Sequence, residues 1–218
     1  MPGASKKGHK GFYRKAEKSR GDSKYEPKEC VIGIDQSYTR TGISIAVNGK
    51  LKKVTSVDFK GTTTKTAKRL LLQEKLRSAI QACLRNYSPV EVAIICERLR
   101  TFTAGDDLRP NVIKPGAAMI AYIVDTGAEF GIDTWSVDTR AWKSAVLGSS
   151  KPIFEPIEGV KNPQKFGSVR KVIDLGFEES IMKCRGNGAF FAYDDDAADS
   201  ACIALYGFVS RPALMKEQ

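Results

Sequence analysis

Histidine is almost absent from this 218-residue chain: His9 is the only one, and it stands in a polar N-terminal stretch. Its isolation excludes Ser-His-Asp catalysis, Cys-His catalysis and His-ligated zinc, each of which needs an imidazole held inside a folded site. The five cysteines, Cys30, Cys83, Cys96, Cys184 and Cys202, contain no C-x-x-C pair. Three of them lie in apolar stretches as small hydrophobes do, so reduced thiols and no structural zinc are expected. Long apolar runs are missing too. No run reaches the roughly 18 residues needed to span a bilayer, and no signal-like segment opens the sequence. A soluble, intracellular protein with no membrane partner is expected. Acidic residues are in deficit, 25 against 35 Lys and Arg, for a net charge of +10. Such an excess favours a polyanionic partner.

Much of that excess lies at one end. Residues 1–28 hold nine basic and three acidic side chains, six of the ten net positive charges. With few apolar residues to offset its ordering entropy, this stretch reads as a disordered tail, either solubilising or a non-specific DNA-binding arm. Residues 29–212 read as one folded domain and 213–218 as a short C-terminal tail. Strands are expected at 30–34, 41–47 and 51–59, the last two joined by an Asn48-Gly49 hairpin turn. A helix at 66–87 is marked by Leu72, Leu76, Ile80, Cys83 and Tyr87 at helical spacing. Then come a strand at 90–96, a helix at 117–130 and a strand at 132–137. Helices at 139–147, 168–175 and 195–209 follow, with a Pro- and Lys-rich loop over 148–165. Three antiparallel strands followed by parallel ones predict an α/β fold, a mixed five-stranded sheet flanked by helices.

Four acidic residues break the local pattern. Asp35 follows the apolar strand residues VIGI, and Glu97 ends the still more apolar VAIIC. Carboxylates are depleted within strands, so both positions call for a reason beyond an Asx cap or a surface ion pair with Arg98 or Arg100. Acids at a helix start are ordinary, which accounts for Asp194 or Asp195. Asp199 lies a turn deeper in a helix otherwise built for burial, on one face with Asp196. Asp195 remains the alternative to Asp196. Four converging carboxylates repel one another unless a cation joins them, and hard oxygen ligands suit Mg²⁺ or Mn²⁺. A pair of such ions suits in-line displacement at phosphorus.

The ordered set IGIDQSYTRTGISI, VAIICE, W-x-V-D-x-x-x-W-K-x-A-V-x-G from Trp135 to Gly148, and DDAADSACIA resembles the RuvC family of Holliday junction resolvases, within the RNase H-like superfamily. The resemblance covers residues 31–208, and its last element is the most specific. It implies an RNase H-like fold and metal-dependent symmetric nicking of four-way junctions or other branched DNA, leaving 5′-phosphate and 3′-hydroxyl ends. Metal ligands and catalytic acids then fall on Asp35, Glu97, Asp196 and Asp199, with two Mg²⁺ ions per site and Mn²⁺ able to substitute. Basic positions of the family fall on Lys143, as a catalytic and DNA-contacting lysine, and on Lys165, as a DNA contact. An insertion over 148–165 departs from the bacterial pattern and leaves Lys151, Lys161 or Lys165 open for the second phosphate contact. Phe102, in ERLRTF, is either the aromatic that intrudes at the junction or a core residue. Arg98, Arg100 and Arg109 would contact phosphate beside it. The resemblance also implies a homodimer, with the apolar helix near Met119, Ile120 and Ile123 as the candidate interface. The basic tail and the insertion suggest a phage, viral or organellar member.

Three rivals stand beside this reading. A sugar kinase of the actin-like fold shares the strand-Asp-Thr-Gly opening but is longer and gives the DDAAD helix no role. A non-catalytic DNA-binding relative would not keep acids that oppose phosphate. An RNase H-like nuclease on flaps or RNA–DNA hybrids would use the same carboxylates.

Overall fold

The computed structural model describes residues 28–89, 91–98, 110–151, 154–184 and 188–210, with the backbone alone for 110–114. Residues 1–27 and 211–218, and the candidate DNA contacts Arg100, Phe102 and Arg109, lie outside the described residues.

Strands β1 (Glu29–Asp35), β2 (Arg40–Val47) and β3 (Lys50–Asp58) form an antiparallel meander. Asn48 (φ 47°) and Gly49 (φ 74°) both adopt the left-handed backbone that a tight β2–β3 turn of matching twist requires. Helix α1 (Lys65–Tyr87) begins where the Thr64 hydroxyl accepts from the Ala67 amide at 3.1 Å. Strand β4 (Glu91–Glu97) then adds parallel to β1, and β5 (Thr134–Val137) parallel to β4. The sheet order is β3-β2-β1-β4-β5, the mixed five-stranded sheet expected from the sequence.

Between β4 and β5 runs α2 (Pro110–Glu129), which starts seven residues before the expected helix. Pro110 sits at its first position, where a missing amide costs nothing, and Pro115 lies near the start and gives up a single interior bond. Helices α3 (Thr139–Leu147), α4 (Phe166–Asp174) and α5 (Glu178–Ile181) follow, with a 3₁₀ turn at Pro163–Lys165 directly before α4. Strands β6 (Met182–Cys184) and β7 (Phe190–Tyr193) form a small second sheet that the sequence did not suggest. They are three and four residues long, too short for alternation to register. The chain closes on α6 (Asp195–Val209).

Strand alternation divides the core. Cys30, Ile32 and Ile34 of β1 and Ile43, Ile45 and Val47 of β2 pack with Leu72, Leu76 and Ile80 of α1 and with Met119 and Ile123 of α2. Met119 and Ile123 are wholly buried there. Two residues of the candidate dimer interface, Met119 and Ile123, are thus spent on the chain's own sheet, whereas Ile120 is half-buried and Val124 of the same helix is exposed. On the opposite face, Val31, Ile95 and Val137 meet Trp142, Cys202 and Ile203, while Ala46 and Val54 meet the alanines of α6 and Val169 and Val172 of α4. Among the described residues no helix is long and apolar enough to cross a membrane.

Two glycines set how closely α6 approaches the sheet. A Cβ on Gly33 would stand 2.3 Å from Ala204 N and Ser200 O, and one on Gly42 would stand 2.0 Å from Asp196 O. Buried Ser44 and Ser200 join the same two layers through a 2.7 Å hydroxyl contact. Helix α6 thus lies directly on β1 and β2, and its first two turns sit over the ends of both strands.

Candidate active site

Side-chain period places the first two acids. Along β1, Val31 faces the α6 layer while Ile32 and Ile34 face α1, so Asp35 points to the α6 side. Along β4, Ile95 faces α6 and Cys96 faces α1, which sends Glu97 the same way. The register Gly33↔Ile95 and Ile34↔Cys96 leaves Asp35 and Glu97 next in line at the ends of adjacent strands. Gln36 continues the ladder with its side chain: its amide nitrogen donates to the Glu97 carbonyl, and its amide oxygen accepts from the Glu97 N–H at 3.1 Å.

Helix α6 supplies the other two. Asp194 caps the helix by accepting from the Ala197 amide at 3.1 Å. It also accepts from Ser56 Oγ at 2.7 Å and pairs with Lys183 at 3.5 Å. The Asp194 N–H donates to the carbonyl of Ile181, the last residue of α5, at 2.6 Å, so the α5–β6 corner, with Lys183 of β6, anchors the start of α6. From that fixed start, Asp196 and Asp199 fall on the face toward Asp35.

One ammonium collects three of the four carboxylates. Lys165 Nζ lies 2.5 Å from Asp199, 3.4 Å from Asp35 and 3.9 Å from Asp196. Of the three lysines open at this position, Lys165 is the one that reaches the acids; Lys151 and Lys161 are exposed. Asp196, and not Asp195, is the member of its pair within reach of Lys165. Burial works against the charge of Lys165, yet Asp199 and Asp35 outweigh it and hold the amine well above its usual pKa. Glu97 is held from the other side, its two oxygens accepting from Thr139 Oγ1 at 2.5 Å and Trp142 Nε1 at 3.1 Å.

Among the described residues, the acids whose oxygens all come within 4.8 Å of one another are Asp194, Asp195 and Asp196. That triplet is a helix start, and the cap and the ion pair of Asp194 account for it. The quartet differs in chemistry. Asp199 Oδ1 is buried and, among the described residues, has no hydrogen-bond partner, which leaves a hard oxygen open for a cation. Burial raises the Asp35 pKa well above the ordinary carboxylate value, with Lys165 opposing and Asp199, Glu97 and Asp196 adding to the rise. A site that so disfavours its own negative charge fits a divalent ion better than a lone ammonium.

Asp196 is likewise pushed up to about 6, chiefly by burial, with Lys165 opposing. Between the ordinary value of 3.8 and that one, the folded chain holds more protons than the unfolded chain, so stability falls as pH rises. In chelator, wild type is therefore expected to lose stability relative to Asp196→Asn as pH climbs from about 4 to about 6. Urea midpoints of both proteins across that window check this; a gap that stays flat contradicts it.

The remaining expected site residues lie elsewhere. Lys143 is buried and donates to the Gln164 carbonyl at 3.0 Å, one residue before Lys165, with its amine 5.3 Å from the Trp142 ring centroid. It braces the turn that carries Lys165 and, among the described residues, has no carboxylate in ion-pair distance. Arg98 turns to β5, where its Nε is 3.5 Å from Ser136 Oγ. Sequence reasoning missed Gln36, Thr139 and Trp142 as partners of Glu97. The last two stand in the W-x-V-D-x-x-x-W-K stretch already singled out, which was the available signal.

No family model and no curated protein matches the chain. Solved structures do. Thermus thermophilus RuvC matches at 15% identity and a TM-score of 0.54, over 85% of this chain and 97% of that one. The T. thermophilus RuvC complex with a Holliday junction substrate matches at 16% and 0.56, over 86% and 96%. The yeast mitochondrial Holliday junction resolvase Ydc2 matches at 16% and 0.48, over 88% and 82%. The sheet order, the strand-end acids and the closing helix, with these two RuvC likenesses over nearly their whole length, show that the chain has a RuvC-like fold.

Proposed function

We propose that the chain is a divalent-metal-dependent endonuclease that resolves four-way DNA junctions and related branched DNA by symmetric nicking, leaving 5′-phosphate and 3′-hydroxyl ends. The observation that carries this is the convergence of Asp35, Asp196 and Asp199 on one ammonium, with a buried, unpartnered Asp199 oxygen among them. Asp35, Glu97, Asp196 and Asp199 would hold Mg²⁺, or Mn²⁺ in its place, as two ions. Such ions, when bound, supply Lewis acidity and charge neutralisation for in-line displacement at phosphorus.

The chain's own residues divide the remaining tasks. Asp35 and Asp196 serve as ligands in their ionised form, and burial makes that form costly, a cost that a bound cation would offset. Lys165 neutralises the acids in the meantime and, once displaced from them, stands beside the phosphate to be cut. Thr139 and Trp142 fix both oxygens of Glu97, and Gln36 locks the two strand ends together. Lys143 acts by bracing the Lys165 turn. Arg98, Arg100 and Phe102 follow the strand-end glutamate and would meet DNA around the branch. Two nicks related by a two-fold axis suit a homodimer.

Trp142→Phe removes one donor to Glu97 and is expected to weaken Mn²⁺ binding by about 10–100-fold, the usual cost of losing an outer partner of a ligand. Calorimetric titration reads this directly, and unaltered affinity would detach Trp142 from the site. The function itself is tested by offering the protein a four-way junction, a flap, a linear duplex and an RNA–DNA hybrid with Mg²⁺ and mapping the cuts. Paired, symmetric, ligatable nicks in the junction are expected. Cutting of the hybrid alone, or of none, would overturn the proposal.

A further inference from the structure

A groove of about 550 Å³ has Asp196 in its lining, together with Thr39, Arg40, Asp58, Lys60, Thr62 and Lys68. It follows the loop after β1 and the connection from β3 to α1. Its charge is not evenly compensated. Arg40 is paired with Asp58 at 2.5 Å. Lys60 is exposed and Lys68 half-buried, and among the described residues neither amine has a carboxylate within ion-pair distance.

Lys68 is also held in place. Its Nζ donates to the Tyr38 carbonyl at 3.0 Å and stands 3.9 Å above the centroid of the Tyr38 ring. An ammonium has three donors, so one carbonyl bond and a ring face leave donors free while the side chain is already ordered. A pre-ordered cation loses little entropy when an anion arrives. Thr39 and Thr62 add hydroxyls of the kind that bind phosphate oxygens without reading base sequence.

We infer that this groove seats the phosphodiester backbone of the strand to be cut, on the Asp196 side of the scissile bond, with Lys60 and Lys68 each contacting a phosphate. The inference rests on the nuclease reading and deepens it: it assigns a backbone track along the β3–α1 connection, beside Asp196. Contacts there are independent of sequence and position the strand over the acids.

The test compares Lys60→Gln/Lys68→Gln with Lys50→Gln/Arg85→Gln, which removes the same charge at the other end of the molecule. Lys50 opens β3, and Arg85 lies seventeen residues beyond Lys68, about 25 Å along α1. Binding of a labelled four-way junction in Ca²⁺ is measured from about 50 to about 200 mM salt. Each lost phosphate contact lowers the slope of log affinity against log salt by about 0.9. The groove variant is expected to lose about 1.8 in slope, so its affinity falls about tenfold less than that of wild type across that range. The control is expected to keep the wild-type slope. A groove variant with an unchanged slope, or one matched by the control, overturns the groove while leaving the nuclease reading intact if wild type still nicks the junction in Mg²⁺. A wild-type chain that neither binds nor nicks any of the four substrates overturns both.

Discussion

Asp35→Asn is expected to bind a four-way junction as tightly as wild type and to nick it at least about a thousandfold more slowly in Mg²⁺, the upper end of what losing one electrostatic group costs in catalysis. Asn keeps the shape and the strand end while removing the charge. In this fold that charge is costly: Asp35 is buried beside three other acids, and burial raises its pKa well above the ordinary carboxylate value, with Lys165 opposing. A carboxylate kept under such conditions gains its stability from a cation. The neutral variant therefore loses a ligand but also relieves repulsion, so its folded state is expected to be as stable as wild type, or more so, in chelator. Parallel measurements of binding, single-turnover nicking and melting separate these effects. Nicking at the wild-type rate would remove Asp35 from the chemistry, and with it the proposal that the four acids form one centre.

Gly42→Ala carries the second large effect, this time on the scaffold. The added methyl would stand 2.0 Å from Asp196 O and 2.9 Å from Ser200 Cβ, and neither a helix backbone nor a buried side chain can yield that far locally. Helix α6 must then lift from β2. The cost is expected to be about 3 kcal/mol or more, at or beyond the usual range for overpacking, a fall of about 6–12 °C in melting temperature for a domain of this size. Nicking should fall further than stability alone explains, because the same displacement moves Asp196 and Asp199 away from Asp35. Gly33→Ala, whose methyl would meet Ala204 N and Ser200 O at 2.3 Å, should behave alike. A variant at Gly42 that melts within about a degree of wild type would mean that α6 does not rest on β2 as described.

Much of the scaffold was legible because each part carried a local signal. The Asn48-Gly49 turn, the apolar spacing of α1 and the apolar runs inside β1 and β4 follow from turn chemistry and local pattern. Helix α6 was placed at its observed bounds because its cap and its apolar body are adjacent in sequence. What lacked a local signal was missed. The β6–β7 hairpin consists of strands too short to alternate visibly, and α2 was started late because Pro115 reads locally as a helix boundary. Met119 and Ile123 of α2 looked free for a partner because nothing in a sequence shows which sheet face will cover them.

The candidate acids carry a local signal of their own. Asp35, Glu97 and Asp199 stood out because each violates the pattern around it, and a charge against the pattern must be compensated somewhere. Their companions violate nothing. Lys165 is one lysine in a polar loop until the fold carries it across 130 positions to Asp35, and Thr139 and Trp142 are an ordinary helix start until they close on Glu97 from more than 40 positions away. Buried charge is costly on its own terms and so marks a chain locally. The groups that compensate it are chosen by distance in space, and that distance comes into being only when α6, the Lys165 turn and the two strand ends are packed together.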